Sequence, residues 1–424
     1  MTPEIKTRIE QIRRGEVPEG YILHRKAVLP DNWKCCQVKE VATVSSGSTP
    51  ARSNAEYWNG DIPWVTTGEL ESGCIDSTIE TVSKKAVEKL NLNVYPKGTL
   101  LMAMYGQGKT RGTVAMLEID ATVNQACAAI LPKGGSAKFL FFQLQNAYED
   151  IRKLSNTGNQ ENLNADIIKT FRVLWAPNPE QQKIAAILTT QDKIIELKEN
   201  LLTEKQRQKK YLVQQLLTGK KRLPGFADPW KKIKLCQVLT ERTEKNEKQH
   251  LHICSVAVQK GVVDQVEHLG RSYAAADTSN YGAVYHGDII YTKSPTGDFP
   301  YGIIKQSQLN KKVAVSPLYG IYKPISFAMG YLLHTYFGYA INAKNYLLPV
   351  VQKGAKNTIN ITNSRFISNS LYLPMDPKEQ SALAEVFTVA DKEIRLLQQS
   401  LEQEKQKKKA LMQLLLTGIV RVNV

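Results

Sequence analysis

The feature that most constrains this chain is a long helical segment that occurs twice, 199 residues apart. Residues 180–219 read EQQKIAAILTTQDKIIELKENLLTEKQRQKKYLVQQLLTG, and residues 379–418 read EQSALAEVFTVADKEIRLLQQSLEQEKQKKKALMQLLLTG. They align without a gap, Asp192 on Asp391, with about 17 of the 40 paired positions identical. Neither copy contains proline or internal glycine, and strong helix formers dominate both. Pro177 and Pro179 precede the first copy, and Pro374 and Pro377 precede the second. Gly219 and Gly418 stand where a helix ends in a left-handed residue.

Within each copy, apolar residues recur every seven positions. One row is Leu188, Ile195, Leu202 and Leu216; the other is Phe387, Ile394, Leu401 and Leu415. Lys209 and Lys408 interrupt the two rows at the same step. A seven-residue row is a coiled-coil seam. A helix of this length runs about 60 Å, too long to bury against one small domain. The simplest partner for each copy is the other copy, packed antiparallel.

The intervening segments repeat more faintly. DNWKCCQVKEVATV, from Asp31, has a partner in DPWKKIKLCQVLTE, from Asp228, which sets Trp33 against Trp230. YPKGTLLMAMYGQGKTRGTVAM has a partner in VYHGDIIYTKSPTGDFPYGIIK, and Gly98 aligns with Gly287. Short alternating runs predict strands, with helices interspersed at 83–90 and 139–154. The predicted fold is therefore α+β. Two globular domains alternate with two long helices that pair as an antiparallel coiled coil, in a pseudo-two-fold internal repeat. The expected boundaries are a helical extension at 1–29 that completes a pseudo-symmetric ring, a globular domain at 30–178, a helical region at 179–221, a second globular domain at 222–374 and a second helical region at 375–424.

Composition narrows the partners. The net charge is +16 with pI near 9.4, which favours a polyanion. Six cysteines lie scattered without C-x-x-C spacing, which argues against a zinc site and a disulfide framework. The opening residues have no apolar leader, and 325–341 is too short and too polar to span a membrane. The expectation is a cytoplasmic protein with no membrane partner and no metal. His250 and His252 read as ordinary strand residues rather than ligands.

One stretch invites an enzymatic reading. In AMYGQGKTRG, Gly108, Lys109 and Thr110 fill the last three places of the G-x-x-x-x-G-K-[ST] phosphate loop, with Ala103 where the first glycine belongs. An NTP-binding enzyme acting through Gly106–Thr110 is thus one alternative. Two features oppose it. The residues that follow suit a strand better than the helix such a loop opens, and the repeat partner TKSPTGDFPYG lacks the motif. What remains is binding. Glycines let the backbone approach a duplex, lysine and arginine reach phosphates or guanine, and glutamine pairs with adenine. The candidate DNA contacts are Tyr105, Gln107, Lys109, Thr110 and Arg111 in the first domain. Their counterparts are Lys293, Ser294, Thr296 and Lys305 in the second, with Arg52, Lys353 and Lys356 on other loops.

Several ordered stretches carry a resemblance. They are SGSTPARSNAEYWNGDIPWVTTGEL (46–70), NQENLNADIIKTFRVLWAPNPEQQKIAAIL (159–188), GDIIYTKSPTGDFPYGIIK (287–305) and the LLTG helix ends. Together with the repeat, they resemble the specificity subunit of type I restriction–modification systems, the HsdS family, over nearly the whole chain. The resemblance implies two target-recognition domains, each reading one half of a split, asymmetric DNA target, and conserved helices that act as a spacer ruler. It implies double-stranded DNA, two methyltransferase (modification) subunits and restriction endonuclease subunits as partners. Catalysis would lie on those partners, with S-adenosylmethionine, ATP and magnesium, and no cofactor would sit on this chain. The second domain lacks the GSTP…YW…IPW opening of the first, which implies that the halves read different sequences. A free-standing DNA-binding regulator or architectural protein is the other alternative.

Overall fold

The computed structural model describes residues 3–24, 27–106, 108–155, 162–247, 250–271, 274–275, 277–353 and 359–423. The chain divides into two compact units, residues 1–198 with 400–424, and residues 199–399.

The first unit is built on four strands: β1 (Ala42–Ser46), β2 (Leu100–Ala103), β3 (Val114–Leu117) and β4 (Cys127–Pro132). They pair antiparallel in the order β1-β4-β2-β3, and the short strand Cys74–Ile75 adds parallel to β3. Side chains alternate between the two faces of a strand, and here both faces are buried. Leu100, Met102, Met116 and Ile130 face the core that takes Phe139, Leu140 and Phe142 from helix α1 (Ala137–Asn146). Leu101, Ala103, Ala115, Leu117 and Ala129 face a second core with Val65 and Leu70. The Ser136 hydroxyl caps α1, accepting from the Phe139 amide at 3.2 Å. A 39-residue helix, α2 (Asn178–Leu216), follows. Its length is about 58 Å at the standard rise.

The second unit repeats the plan. Strands β5 (Leu239–Glu241), β6 (Ile289–Tyr291), β7 (Ile304–Gln306) and β8 (Gly320–Pro324) pair antiparallel in the order β5-β8-β6-β7. Each strand takes the place of its counterpart in the first unit. Helix α3 (Phe327–Phe337) follows β8 as α1 follows β4, and Ser326 caps it through the Met329 amide at 3.0 Å. Ile289, Tyr291, Ile304 and Tyr322 meet Met329 and Leu333 on one face; Ile290 and Ile321 meet Val284, Val313 and Val315 on the other. The second 39-residue helix is α4 (Pro377–Leu415). The boundary between units falls inside α2 and inside α4.

In each unit the two helices run antiparallel. In the first, Lys198 Nζ donates to Ser400 Oγ at 2.7 Å and to Glu404 Oε1 at 2.9 Å, and Lys408 pairs with Asp192 at 2.6 Å. In the second, Lys205 pairs with Glu393 at 2.7 Å and Lys209 with Asp391. The expected seam is only partly apolar. Leu188, Leu216, Phe387 and Leu415 are buried where the helix ends meet the globular cores. Ile195, Leu202, Ile394 and Leu401 are half-buried. Polar residues fill the alternate rungs between them, because a bare helix pair leaves its middle open to water.

The opening residues are helical only over Pro3–Arg13. They continue as a hairpin, Tyr21–His24 with Ala27–Pro30. The Tyr21 hydroxyl donates to the Gly418 carbonyl at 2.8 Å, which ties this extension to the end of α4 within the first unit. Among the described residues, no helix is long and apolar enough to cross a membrane.

Candidate nucleic-acid interface

The two loops that the repeat places in correspondence are the tips of equivalent hairpins. Residues 104–113 join β2 to β3, and residues 292–303 join β6 to β7. The phosphate-loop reading fails on this topology. A phosphate loop delivers its glycine-lysine-threonine to a helix N-terminus, whereas here the chain turns back into β3.

The first tip is closed by two backbone bonds, Gly112 N to Ala103 O at 2.8 Å and Ala103 N to Thr113 O at 3.0 Å. Gly112 has φ +83°, and a Cβ there would stand 3.2 Å from the Arg152 side chain. Two residues that the sequence did not single out hold the tip from the side. The Tyr148 hydroxyl donates to the Lys109 carbonyl at 2.6 Å, and Arg152 Nη1 donates to the Arg111 carbonyl at 2.7 Å and to Tyr148 Oη at 3.1 Å. Their spacing of four on one helix is the only trace they leave in the sequence.

Tyr105 and Lys109 are exposed and Thr110 is half-buried. Arg111 is a correction. It is 7% exposed, since it stands where the hairpin rejoins the sheet, and its side chain lies inside rather than on the surface. Gln107 lies outside the described residues. Arg52 is on the surface but engaged: its guanidinium pairs with Glu80 through both nitrogens and lies 3.9 Å from the centre of the Trp58 ring. It is therefore not a free cation awaiting a phosphate.

In the second tip, Thr296 and Phe299 exchange backbone bonds of 3.0 Å, and Phe299 anchors the turn by burial. Gly302 lies against the backbone of Lys293, where a Cβ would approach its nitrogen to 2.8 Å. Ser294 and Thr296 are exposed; Lys293 is half-buried, and burial lowers its pKa. Lys305 is the second correction. It lies in β7, 7% exposed. Burial pushes its pKa down to about 8, a drop that Lys209 deepens and Asp391 opposes. A strand residue whose side chain points into its own unit cannot reach DNA. Lys353 lies in the short strand 352–353, paired with 359–360; its side chain and all of Lys356 lie outside the described residues.

The surroundings of the second sheet are ionic. Arg242 holds Asp288 bidentately at 2.7 and 2.9 Å, and Arg242 and Lys312 both lie against the Tyr285 ring, 4.3 and 4.7 Å from its centre, with the Tyr285 hydroxyl on Glu244. His250 and His252 precede the strand 254–257 rather than lie in it, and the His252 ring meets Asp264. Among the described residues, no group of three or more His, Cys, Asp or Glu side chains could hold a metal ion.

Comparison with known proteins places this architecture. Residues 30–205 match the family described as type I restriction modification DNA specificity domain. The type I restriction enzyme MjaIX specificity subunit of Methanocaldococcus jannaschii is 31% identical over 185 residues, 42% of each chain. An Escherichia coli type I restriction enzyme specificity subunit is 24% identical over 161 residues, 37% of this chain and 39% of that one. The matched stretch thus spans about two fifths of the length of these curated relatives. The crystal structure of a type I restriction–modification system S subunit from M. genitalium shares the fold at TM-score 0.59 and 12% identity, covering 93% of this chain and 98% of that one.

Proposed function

We propose that this chain is a type I restriction–modification specificity subunit, as the match of residues 30–205 and the relatives above support, and that it chooses the DNA sequence on which such a complex acts. Each unit reads one half of a split target in double-stranded DNA, through the hairpin tips 104–113 and 292–303 and the loops beside them. The observation that carries this reading is the repetition of one strand order in two units whose tips differ in sequence. A duplicated frame with divergent tips suits a target whose halves differ. The basic balance of the chain supplies the attraction to phosphate that any duplex-binding protein needs.

The paired helices set the spacer between the half-sites and, with their flanks, dock two methyltransferase subunits in the cytoplasm. Those partners bring S-adenosylmethionine and reach the target base by flipping it from the duplex. Restriction subunits that use ATP and magnesium join the same complex. Catalysis belongs to the partners, and this chain carries recognition without a cofactor of its own.

Methylome sequencing of a host expressing the whole system tests the reading. A bipartite methylated motif is expected. Inserting or removing whole helical turns in the middle of both α2 and α4 should change the spacer and leave both half-sites intact. A changed half-site with an unchanged spacer would refute the ruler.

A further inference from the structure

Beside the first hairpin tip lies a cleft of about 450 Å³ that none of the candidate contacts other than Tyr105 touches. Four backbone segments are laced together to form it. Gly47 N donates to Cys127 O at 3.1 Å and Ser48 N to Val123 O at 3.0 Å. Met104 N donates to Ala126 O at 2.8 Å and Leu163 N to Met104 O at 2.9 Å. The approach at Gly47 requires glycine, since a Cβ there would stand 2.1 Å from the Val123 carbonyl oxygen. The lining side chains therefore stand on a fixed backbone.

The chemistry of the lining is specific. In a chain of net charge +16, none of the described residues lining the cleft carries a charge. Ser48, Thr49, Tyr105 and Gln125 are exposed on it, beside apolar Leu92 and Met104. Thr49 Oγ1 accepts from the Gln125 amide nitrogen of the main chain at 3.3 Å, which sets the Gln125 side chain at the cleft. Among the described residues, the Gln125 amide group, the Tyr105 hydroxyl and the Ser48 hydroxyl make no hydrogen bond within the protein. A phosphate would call for cations. Neutral amide and hydroxyl groups beside methyl-sized apolar surface suit the edges of bases instead, and a glutamine amide matches the N6 and N7 of adenine.

We propose that this cleft reads bases and that Gln125 is its specificity-determining residue, directed at an adenine of the half-site bound by the first unit. The proposal rests on the DNA-reading function given above. The corresponding stretch of the second unit, 243–246, lies instead in the ionic setting of Arg242, Glu244 and Lys312. The same place in the frame thus carries different chemistry in the two units.

The test uses the complete system with Gln125→Ala and Gln125→Glu. Gln125 is exposed, so both variants should keep the wild-type near-UV circular dichroism. Methylome sequencing of Gln125→Ala should show one position of one half-site relaxed by about tenfold or more, with the other half-site and the spacer unchanged. Gln125→Glu should move that position toward cytosine, whose N4 amino group a carboxylate accepts. The salt dependence of binding a motif-bearing duplex should not change. An unchanged motif in both variants overturns the proposal, as does an unchanged motif with a shallower salt dependence, which would make Gln125 a phosphate contact. A wild-type system that yields no bipartite motif would overturn the functional reading itself.

Discussion

Glu180 and Glu379 stand at equivalent places near the starts of α2 and α4 and are almost fully buried, at 1% and 2% exposure. In the first unit, Arg421 holds Glu180 through Nε at 2.7 Å and Nη2 at 2.8 Å, and Trp33 Nε1 donates to it at 2.9 Å. In the second, Arg222 holds Glu379 at 2.7 and 2.9 Å, and Trp230 donates at 3.2 Å. Arg421→Ala removes two charge-assisted bonds and leaves a buried carboxylate with one indole donor. Breaking a buried pair in this way costs about 3–5 kcal/mol. The Arg421 side chain is 32% exposed, so water reaches part of the site; an expected loss of about 2–4 kcal/mol follows. Glu180→Gln leaves the charge on arginine, which can turn to solvent, and should cost about half as much. The order of the two losses is the sharp part of the prediction. Urea unfolding followed by tryptophan fluorescence, with Trp33 in the site as reporter, measures both. A loss below about 0.5 kcal/mol for Arg421→Ala, the size of an ordinary surface substitution, would refute the reasoning; so would a larger loss for Glu180→Gln.

Three further outcomes follow from the same structure. Lys109→Ala should weaken duplex binding by the assembled complex and reduce the slope of log affinity against log salt by about one, with the methylated motif intact; filter binding across a salt series measures it. Lys305→Met should leave DNA binding unchanged and stabilise the second unit by about 1–3 kcal/mol at neutral pH. The sign follows from the depressed lysine pKa of about 8: the unfolded chain binds that proton more readily, so the native state bears the cost at every pH below about 8. His334 has its pKa held down to about 3 by burial, with Lys305 and Lys209 adding to the effect and Asp391 opposing it, and its Nδ1 accepts from the Gln306 amide. The unfolded chain therefore takes up a proton first, and stability of the second unit should fall as pH drops from about 6.5 toward 3; His334→Gln should flatten that slope in pH-dependent melts.

Much of this architecture was legible because the chain repeats itself. The repeat gave the helix starts to within two residues and their ends to within three, and it matched the two hairpin loops to one another. Its registration also carries a duplicated contact. Arg222 and Arg421 are 199 residues apart, as are Glu180 and Glu379, and Trp33 stands 197 residues before Trp230. Three chemically complementary residues recurring together mark a duplicated contact. Other features leave no such trace. The burial of Arg111 and Lys305 depends on where a hairpin closes and which face of a strand is covered, not on the residue types. The pairing of Arg52 with Glu80 joins a loop to a strand 28 residues further on, and charge composition counts both as free.

The lysines that interrupt the apolar rows have a physical role in setting register. Lys209 meets Asp391 in one unit and Lys408 meets Asp192 in the other. Since Lys209 aligns with Lys408 and Asp192 with Asp391, the two pairs are the same contact made once in each unit. Half-exposed ion pairs add little stability, typically below 1 kcal/mol. An all-leucine row would hold the helices more tightly, but it would accept neighbouring registers, since every heptad would present the same surface. A slip of one heptad in either direction would set each aspartate against a leucine of the facing row, Leu202 or Leu216 for Asp391 and Leu401 or Leu415 for Asp192. Charged rungs thus trade stability for a single alignment. On the proposed reading, in which the helices set the distance between two half-sites, alignment is the property that matters, and the polar middle of the helix pair is what supplies it.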